Sequence, residues 1–362
     1  MTQNTLVRVG VPLTGGRLVA AARERRYSVL FSANAFAKTY PKGHEREGCF
    51  RAFSQPNLAQ YDGLDAALDS AGFVAAVKYG DYRWTVDDYL DLVASYDWSW
   101  WASMDYCVEK EIAEDRPLRL LRIAATARML GECRAEADRR GLKPPMPVLQ
   151  GWTPAEYVTC SEWLPIVEWP DLVGIGSVCR RQVHGPDGVL AILEAVDAVL
   201  PKHTKVHLFG VKSAVLDCLA GHPRVASVDS MAWDVQARVE RRTGRDMDFR
   251  IGHMEAWANK QMDIAARSRS PVGVQTMLFD PTAFGGLTTD ESQVLECLTL
   301  LYADLVMGGD LEYRDAVSGA MRDGVHATAV FRRFGMTDEG VDALNEVFGG
   351  LGELAQQTFK TA

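Results

Sequence analysis

The 362-residue chain is 47% hydrophobic and 24% charged and carries a net charge of −9, a globular composition that excludes a disordered or low-complexity chain. No apolar run reaches ~18 residues, which argues against a membrane span, and residues 1–10 lack a basic-then-apolar leader. Seven scattered cysteines favour reduced thiols and a cytoplasmic location over a disulfide framework.

In chain order, "YSVLFSANAF" (27–36) reads as the first strand, followed by a long polar loop containing "TYPKGHEREGCF". "LDAALD" is a second strand, and "TVDDYLDLVASY" a helix with Thr85 as its N-cap. "DWSWWASMD" is a third strand, and residues 116–141 form a long amphipathic helix ended by Gly141. "PPMPVLQG" is a fourth strand, its helix starting at Thr153 and Pro154. "DLVGIGSV", "TKVHLFGV" and "RVASVD" are strands five to seven, with helices over 186–200 and 213–221. An eighth strand lies at 248–253 or 271–279, and from about residue 290 the pattern is helical. Short apolar strands alternating with helices imply βα units and a parallel sheet. Seven in succession favour a TIM (β/α)8 barrel over an open doubly wound sheet. The expected division is a barrel over 1–285 and a helical region packed on it over 286–362. There is no Walker A loop, and the glycines of "VGIGSV" make no dinucleotide fingerprint.

In a barrel, residues just past the strand ends line one mouth. Here they are Asp69, Asp105, Gln150, Gly176 with Ser177, Phe209 with Gly210, and Asp229. A single Asp after a strand is most often a cap or turn former. Three at one end point instead to a shared cavity, where mutual repulsion raises at least one pKa. A raised carboxyl can act as general acid while an ionised one attacks.

These residues resemble the motifs of the tRNA-guanine transglycosylase superfamily. "LDSAGF" resembles D-S-G-G-[FY]-Q, "SMDYC" the F-D-E/Q-C strand end, "VLQGW" V-Q-G-G and "VGIGSV" A-I-G-G-L. "HLFGV" resembles Y-L-M-G-V, and "SVDSMAWD" stands where F-D-C-V-L-P-T-R carries the nucleophile. The six fall in family order over residues 65–234. The resemblance implies exchange of guanine for a 7-deazaguanine base in nucleic acid. Asp229 would be the nucleophile that holds a covalent glycosyl intermediate. Asp69 would be general acid, then base. Asp105 would accept from the N1–H and 2-amino edge of the base, and Gln150 would donate to O6. Ser70 and the backbone of Gly176 and Ser177 would complete the base site, and Phe73 and Phe209 would sandwich the ring; a core role is the competing reading for both phenylalanines.

The tRNA enzymes carry a C-x-C-x2-C zinc segment after the nucleophile strand. Here only Cys297, His253 and His326 follow Asp229, so no metal site and no cofactor is expected. Loss of that segment shifts the resemblance to the DNA-directed, DpdA-like 7-deazaguanine transglycosylases of bacteria and phages. DNA is the expected partner, with possible helper proteins of a modification system. The alternatives are a tRNA-acting transglycosylase, a two-carboxylate N-glycoside hydrolase, and a catalytically silent nucleic-acid-binding protein. A cationic, acid-poor rim around Arg180, Arg181 and Gln182 favours 7-cyano-7-deazaguanine over an ammonium-bearing base. The acidic balance disfavours nucleic acid only globally, because binding follows the local patch. Basic segments lie at 179–182, 238–245, 266–270 and 331–334, each ordinarily a solvated face. With DNA as partner, Arg180, Arg181, Arg238, Arg241 and Arg242 are the expected phosphate contacts. Cys179 and His184 are expected to be structural or incidental.

Overall fold

The computed structural model describes residues 5–241, 243, 246–267, 289–309 and 311–334. It is an α/β fold built on a curled, seven-stranded parallel sheet. The strands are β1 (Leu6–Gly10), β2 (Val29–Ser32), β5 (Ala66–Asp69), β6 (Val148–Leu149), β7 (Leu172–Ile175), β8 (Lys205–Leu208) and β9 (Val225–Ser230), in the order β5-β2-β1-β9-β8-β7-β6. A separate antiparallel hairpin, β3 (Ala37–Thr39) with β4 (Phe50–Phe53), projects from the chain after β2. It occupies the segment expected to be loop.

The sheet corrects three expectations. Its first strand is "LVRVG" at Leu6–Gly10, which pairs with both β2 and β9. The proposed eighth strand at 248–253 is instead part of the helix Met247–Ala265, and 271–279 lies outside the described residues. "DWSWWASMD" does not form a strand either. Residues 99–103 join the two sheet edges only through isolated parallel bridges, Leu68 to Trp101 and Ala102 to Met146. The cause lies in the neighbouring stretch, where Pro144, Pro145 and Pro147 have no N–H to give a ladder. Met146, set between prolines, donates to Trp101 O (2.8 Å) and accepts from Ser103 N (3.0 Å).

Local signals place the helices. Thr85 and Thr153 each form a capping box, with Asp88 and Glu156 respectively, satisfying first-turn N–H groups. The helix Arg116–Arg140 ends on Gly141 at φ 65°, a left-handed cap that glycine adopts without a Cβ penalty. The helix after β6 stops at Trp163. Pro165 follows Leu164 and forces it out of the helical region (ψ 133°).

Apolar residues on alternate strand positions, such as Val7, Val9, Val206 and Leu208, are buried in the main core. The positions between them point to the opposite, inner face: Arg8, Ala67, Val148, Gly174, His207 and Ser227. The helices Thr289–Gly308 and Tyr313–Phe334 form a second core against Arg116–Arg140, with Ala303, Val306 and Ala316 packed on Leu121, Ala124 and Ala125. The expected 285/286 boundary lies outside the described residues. No helix of the described residues is long and apolar enough to cross a membrane.

Candidate functional site

The site grows from the C-terminal ends of the parallel strands. Register pairs Ser32 with Asp69, which puts the ends of β2 and β5 level, and pairs Arg8 of β1 with Asp229 of β9. Two steps below each functional residue lies another inner residue: Ala67 below Asp69, Val148 below Gln150, His207 below Phe209, Ser227 below Asp229.

Asp69, on β5, is half-buried and accepts from Ala71 N (3.1 Å), with the Ser32 hydroxyl nearby but not hydrogen-bonded to it. Burial, and then the charges of Asp105 and Asp229, push its pKa up to about 8. Asp69 thus feels the charge of both other carboxylates. Asp105 is buried; its Oδ1 accepts from Ser70 Oγ (2.8 Å) and its Oδ2 from Gln150 Nε2. Burial raises its pKa to about 6, against these hydrogen bonds. Tyr82 fixes the Asp105 backbone, its hydroxyl donating to Asp105 O (2.9 Å) and accepting from Asp105 N (3.1 Å).

Gln150 continues the network. Its Oε1 accepts from Ser177 Oγ (2.6 Å), which in turn accepts from Val108 N (2.7 Å). Two glycines make room. A Cβ at Gly72 would lie 2.6 Å from Asp105 O, and one at Gly176 would collide with the Gln150 amide. Ala71 (φ 70°) and Ser177 (φ 55°) hold left-handed backbone, a strain that non-glycine residues keep only where the surroundings enforce it. Around them, the Tyr157 hydroxyl donates to Gly176 O (2.8 Å). The buried pair Arg119–Glu156 (2.9 Å) holds Trp152 N (2.8 Å) through Glu156.

Asp229 is buried, and its Oδ1 accepts from Gly210 N (2.9 Å). His207 Nε2 lies 3.3 Å from the same oxygen, at an angle that makes no hydrogen bond. The fully buried His207 ring packs against Trp100 (4.8 Å) and Phe209 (4.6 Å), and its Nδ1 pairs with Ser227 Oγ (2.8 Å). Burial holds its pKa below the ordinary value, against the pull of Asp229. Beneath, the buried Arg8 guanidinium lies over Trp100 (5.4 Å) and pairs with Asp65 (3.0 Å). Sequence reading missed His207 and Arg8. Counting back by two from Phe209, and recognising "LVRVG" as a strand, places both inside.

Other expectations need correcting. Phe209 is half-buried and packs with Ala102, Met146 and Val148, its ring filling the space above Gly174. It is a core residue with one exposed part. Phe73 is exposed, with the Arg180 guanidinium 5.5 Å from its ring. Arg180 is bound to Glu109 (3.1 Å) and Glu111 (2.6 Å). The rim is therefore charge-balanced, not acid-poor, and this arginine has carboxylate partners in place of phosphate. Arg181 is buried, donating to Ser177 O (3.0 Å), Gly151 O (3.1 Å) and Asp187 O (3.2 Å), and stacking on Trp152 (3.6 Å); it cannot reach a phosphate at the surface. Arg238 pairs with Asp234 (3.3 Å), Arg241 lies exposed over Phe249 (4.2 Å), and Arg242 is outside the described residues. Cys179 Sγ faces Glu109 Oε1 at 3.8 Å, and burial raises its pKa to about 12, which leaves it an unreactive thiol. Among the described residues no cluster of three or more His, Cys, Asp or Glu side chains is placed to hold a metal ion.

The C-terminal helices reach this site. Arg314 pairs with Asp81 (2.6 Å), which accepts from the Tyr106 hydroxyl (2.9 Å), and Tyr313 packs on Tyr106 (4.5 Å). They therefore brace the turn that follows Asp105.

A family model described as DpdA, DeoxyPurine in DNA protein A, matches residues 55–263. No curated protein matches the chain. Among solved structures, one described as a fructose-1,6-biphosphate aldolase of Coccidioides immitis aligns with a TM-score of 0.36 and 15% identity, covering 72% of this chain and 91% of that one.

Proposed function

We propose, from the premise that this chain belongs to the DpdA (DeoxyPurine in DNA protein A) family, that it exchanges guanine in DNA for a 7-deazaguanine base through a covalent Asp229–glycosyl intermediate. The observation that carries the reading is Asp69, pushed up to about 8 by burial and by the charges of Asp105 and Asp229. At neutral pH it keeps its proton. It is then a general acid beside a second carboxylate, the division of labour that a double-displacement reaction at a glycosidic carbon needs.

In this reading the eight staves, counting 99–103, form a (β/α)8 barrel, and the helical region 286–362 buttresses it. Gly210 N occupies Asp229 Oδ1 and His207 crowds it, so Oδ2 is the attacking oxygen. The C1′–O bond forms as the C1′–N9 bond breaks, and Asp69 gives its proton to the departing guanine. The incoming base then loses its N9 proton to Asp69, and N9 displaces Asp229. Asp105, with a pKa near 6, is ionised at neutral pH and accepts from the N1–H and 2-amino edge. Gln150 uses one amide hydrogen on Asp105 and keeps the other for O6. Phe73 covers one face of the ring, and the exposed part of Phe209 lies at the floor. Glu109 and Glu111 are both engaged by Arg180, which leaves neither to receive an ammonium. This supports 7-cyano-7-deazaguanine.

The test is incorporation of labelled guanine or 7-cyano-7-deazaguanine into DNA by purified protein, with helper proteins supplied. Asp229→Asn abolishes incorporation without unfolding the protein. An Asp229→Asn protein that still exchanges bases removes the nucleophile assignment. Incorporation into tRNA and not DNA removes the substrate.

A further inference from the structure

We infer that the β3–β4 hairpin, residues 37–53, is a DNA-backbone clamp beside the mouth. It lies before residue 55, outside the matched family segment. The inference rests on the reading of DNA as substrate and names the surface that holds it.

The arginines flagged in the sequence are largely committed elsewhere: Arg180 and Arg238 to carboxylates, Arg181 to carbonyls. Uncommitted cations are found instead on the hairpin. Lys38, Lys42 and Arg51 are exposed and have no carboxylate partner among the described residues. Arg46 lies 4.9 Å from the Tyr40 ring, and Tyr40 stacks on His44 at 4.4 Å. The adjoining segment adds Lys78 and Arg83, both over Tyr79, at 5.0 and 3.8 Å. Against these cations stand only Glu45, Glu47 and Asp81, so a chain with net charge −9 still gathers a local surplus of positive charge here, interleaved with aromatic rings. Cations neutralise phosphates, and rings accept stacked bases.

Position makes this surface relevant. The hairpin leaves the end of β2, whose Ser32 is level with Asp69. Asn34 accepts from the Tyr79 hydroxyl (3.1 Å), and Arg83 donates to Gly48 O at the hairpin tip (2.7 Å). Tyr79 belongs to the segment that continues from the Asp69 turn through the exposed Phe73 and Val77. The base of the hairpin is rigid, because Phe50 and Phe53 pack on the buried Trp84 at 5.8 and 5.3 Å. An anchored base whose two exposed strands carry Lys38 and Arg51 can hold the strand that flanks an extruded nucleotide while Asp69 acts on it.

The experiment compares DNA binding by the wild type, by Lys38→Gln/Lys42→Gln/Arg51→Gln, and by the control Arg26→Gln/Lys202→Gln/Lys260→Gln. The control removes three exposed cations away from the mouth. Fluorescence anisotropy with a guanine-containing oligonucleotide, across a salt series, gives affinity and slope. The hairpin variant should bind at least about 10-fold more weakly, with a log K–log salt slope smaller by about 2 to 3, at ~0.7–0.9 per lost phosphate contact. The control should match wild type. Equal affinity and slope in the hairpin variant overturn the clamp, as does an equal loss in the control. Preferential binding of tRNA by the same residues overturns the assignment to DNA. Base exchange is scored separately. Exchange into DNA with an indifferent hairpin removes the clamp alone. Hairpin-dependent DNA binding without exchange removes the proposed activity and leaves the clamp.

Discussion

Gly176→Ala tests the base-site network with one methyl group. Gly176 is not among the residues with positive φ, so alanine fits the backbone and the effect comes from space. The new Cβ would stand 2.7 Å from Gln150 Cδ and 2.9 Å from Oε1, against ordinary contacts beyond about 3.5 Å. Gln150 Nε2 would be closer still, so the amide must retreat by more than about an ångström. It cannot do so and keep both Asp105 and Ser177 as partners. The bond to the carboxyl contributes about 1.5–3 kcal/mol and the neutral one about 1. Replacing glycine returns about 0.4–1 kcal/mol through the unfolded chain. The net loss is about 2–3 kcal/mol in urea unfolding, with base exchange reduced roughly 10- to 100-fold where the network positions the base. Gly252→Ala, in the helix Met247–Ala265 with open space at its Cβ, should instead gain up to about 1 kcal/mol. A Gly176→Ala protein as stable and active as wild type would refute the network as both a structural and a base-positioning element.

Three further outcomes are expected. Asp69 titrates near 8 in the fold against 3.8 ordinarily, so the folded state keeps a proton the unfolded chain has released. Its contribution lowers stability as pH rises from about 4 to about 8 and changes no further above that; Asp69→Asn removes this slope, and wild-type base release declines above about pH 8. Equal pH–stability curves for the two proteins contradict the assignment. Glu156→Ala strands the buried Arg119 and frees Trp152 N, costing about 3–5 kcal/mol in urea unfolding; a loss under 1 kcal/mol shows that the site relaxes around the gap. His207→Phe keeps the ring between Trp100 and Phe209 but removes the contact to Asp229, so covalent-intermediate formation slows at least about 10-fold while DNA affinity holds. Unchanged single-turnover kinetics remove His207 from Asp229's support.

Strand-end residues were legible because a carboxylate closing an apolar run is conspicuous: "LDAALD", "SMD" and "VASVD" each announce one. What lies one layer deeper was not. His207 sits in mid-strand between Val206 and Leu208, where a lone histidine carries no motif, and only period-2 counting turns it inward. "LVRVG" is short and holds an arginine, so it does not look like a buried strand; Arg8 is tolerated because Asp65 and the Trp100 ring receive its charge. The hairpin was hidden by polarity: "TYPKGHERE" reads as loop, and its pairing is fixed by Phe50 and Phe53 meeting Trp84, a contact about thirty residues away in sequence. The arginine clusters misled for the opposite reason. Sequence shows charge but not its partner, and Glu109, Glu111 and Asp234 had already taken it.

Three carboxylates at one mouth pose a Coulomb problem, and the fold answers it differently for each. Asp69 is buried from water at its carboxyl, has the charges of Asp105 and Asp229 beside it and one backbone N–H as partner, so it retains its proton. Asp105 has a hydroxyl on one oxygen and an amide on the other, which offset part of its burial and hold its two oxygens in a fixed plane. Asp229 has the Gly210 N–H at one oxygen and the Arg8 charge on the neighbouring strand. The partners are therefore graded in kind, from weak and few to a buried cation. That grading, more than the presence of three acids, is what would let one carboxyl donate a proton, one read a base edge and one attack a sugar in a single cavity. It also fits the placing of the supporting residues in the inner layer: the buried Arg8, held by Asp65 and the Trp100 ring, is out of reach of a DNA backbone at the mouth.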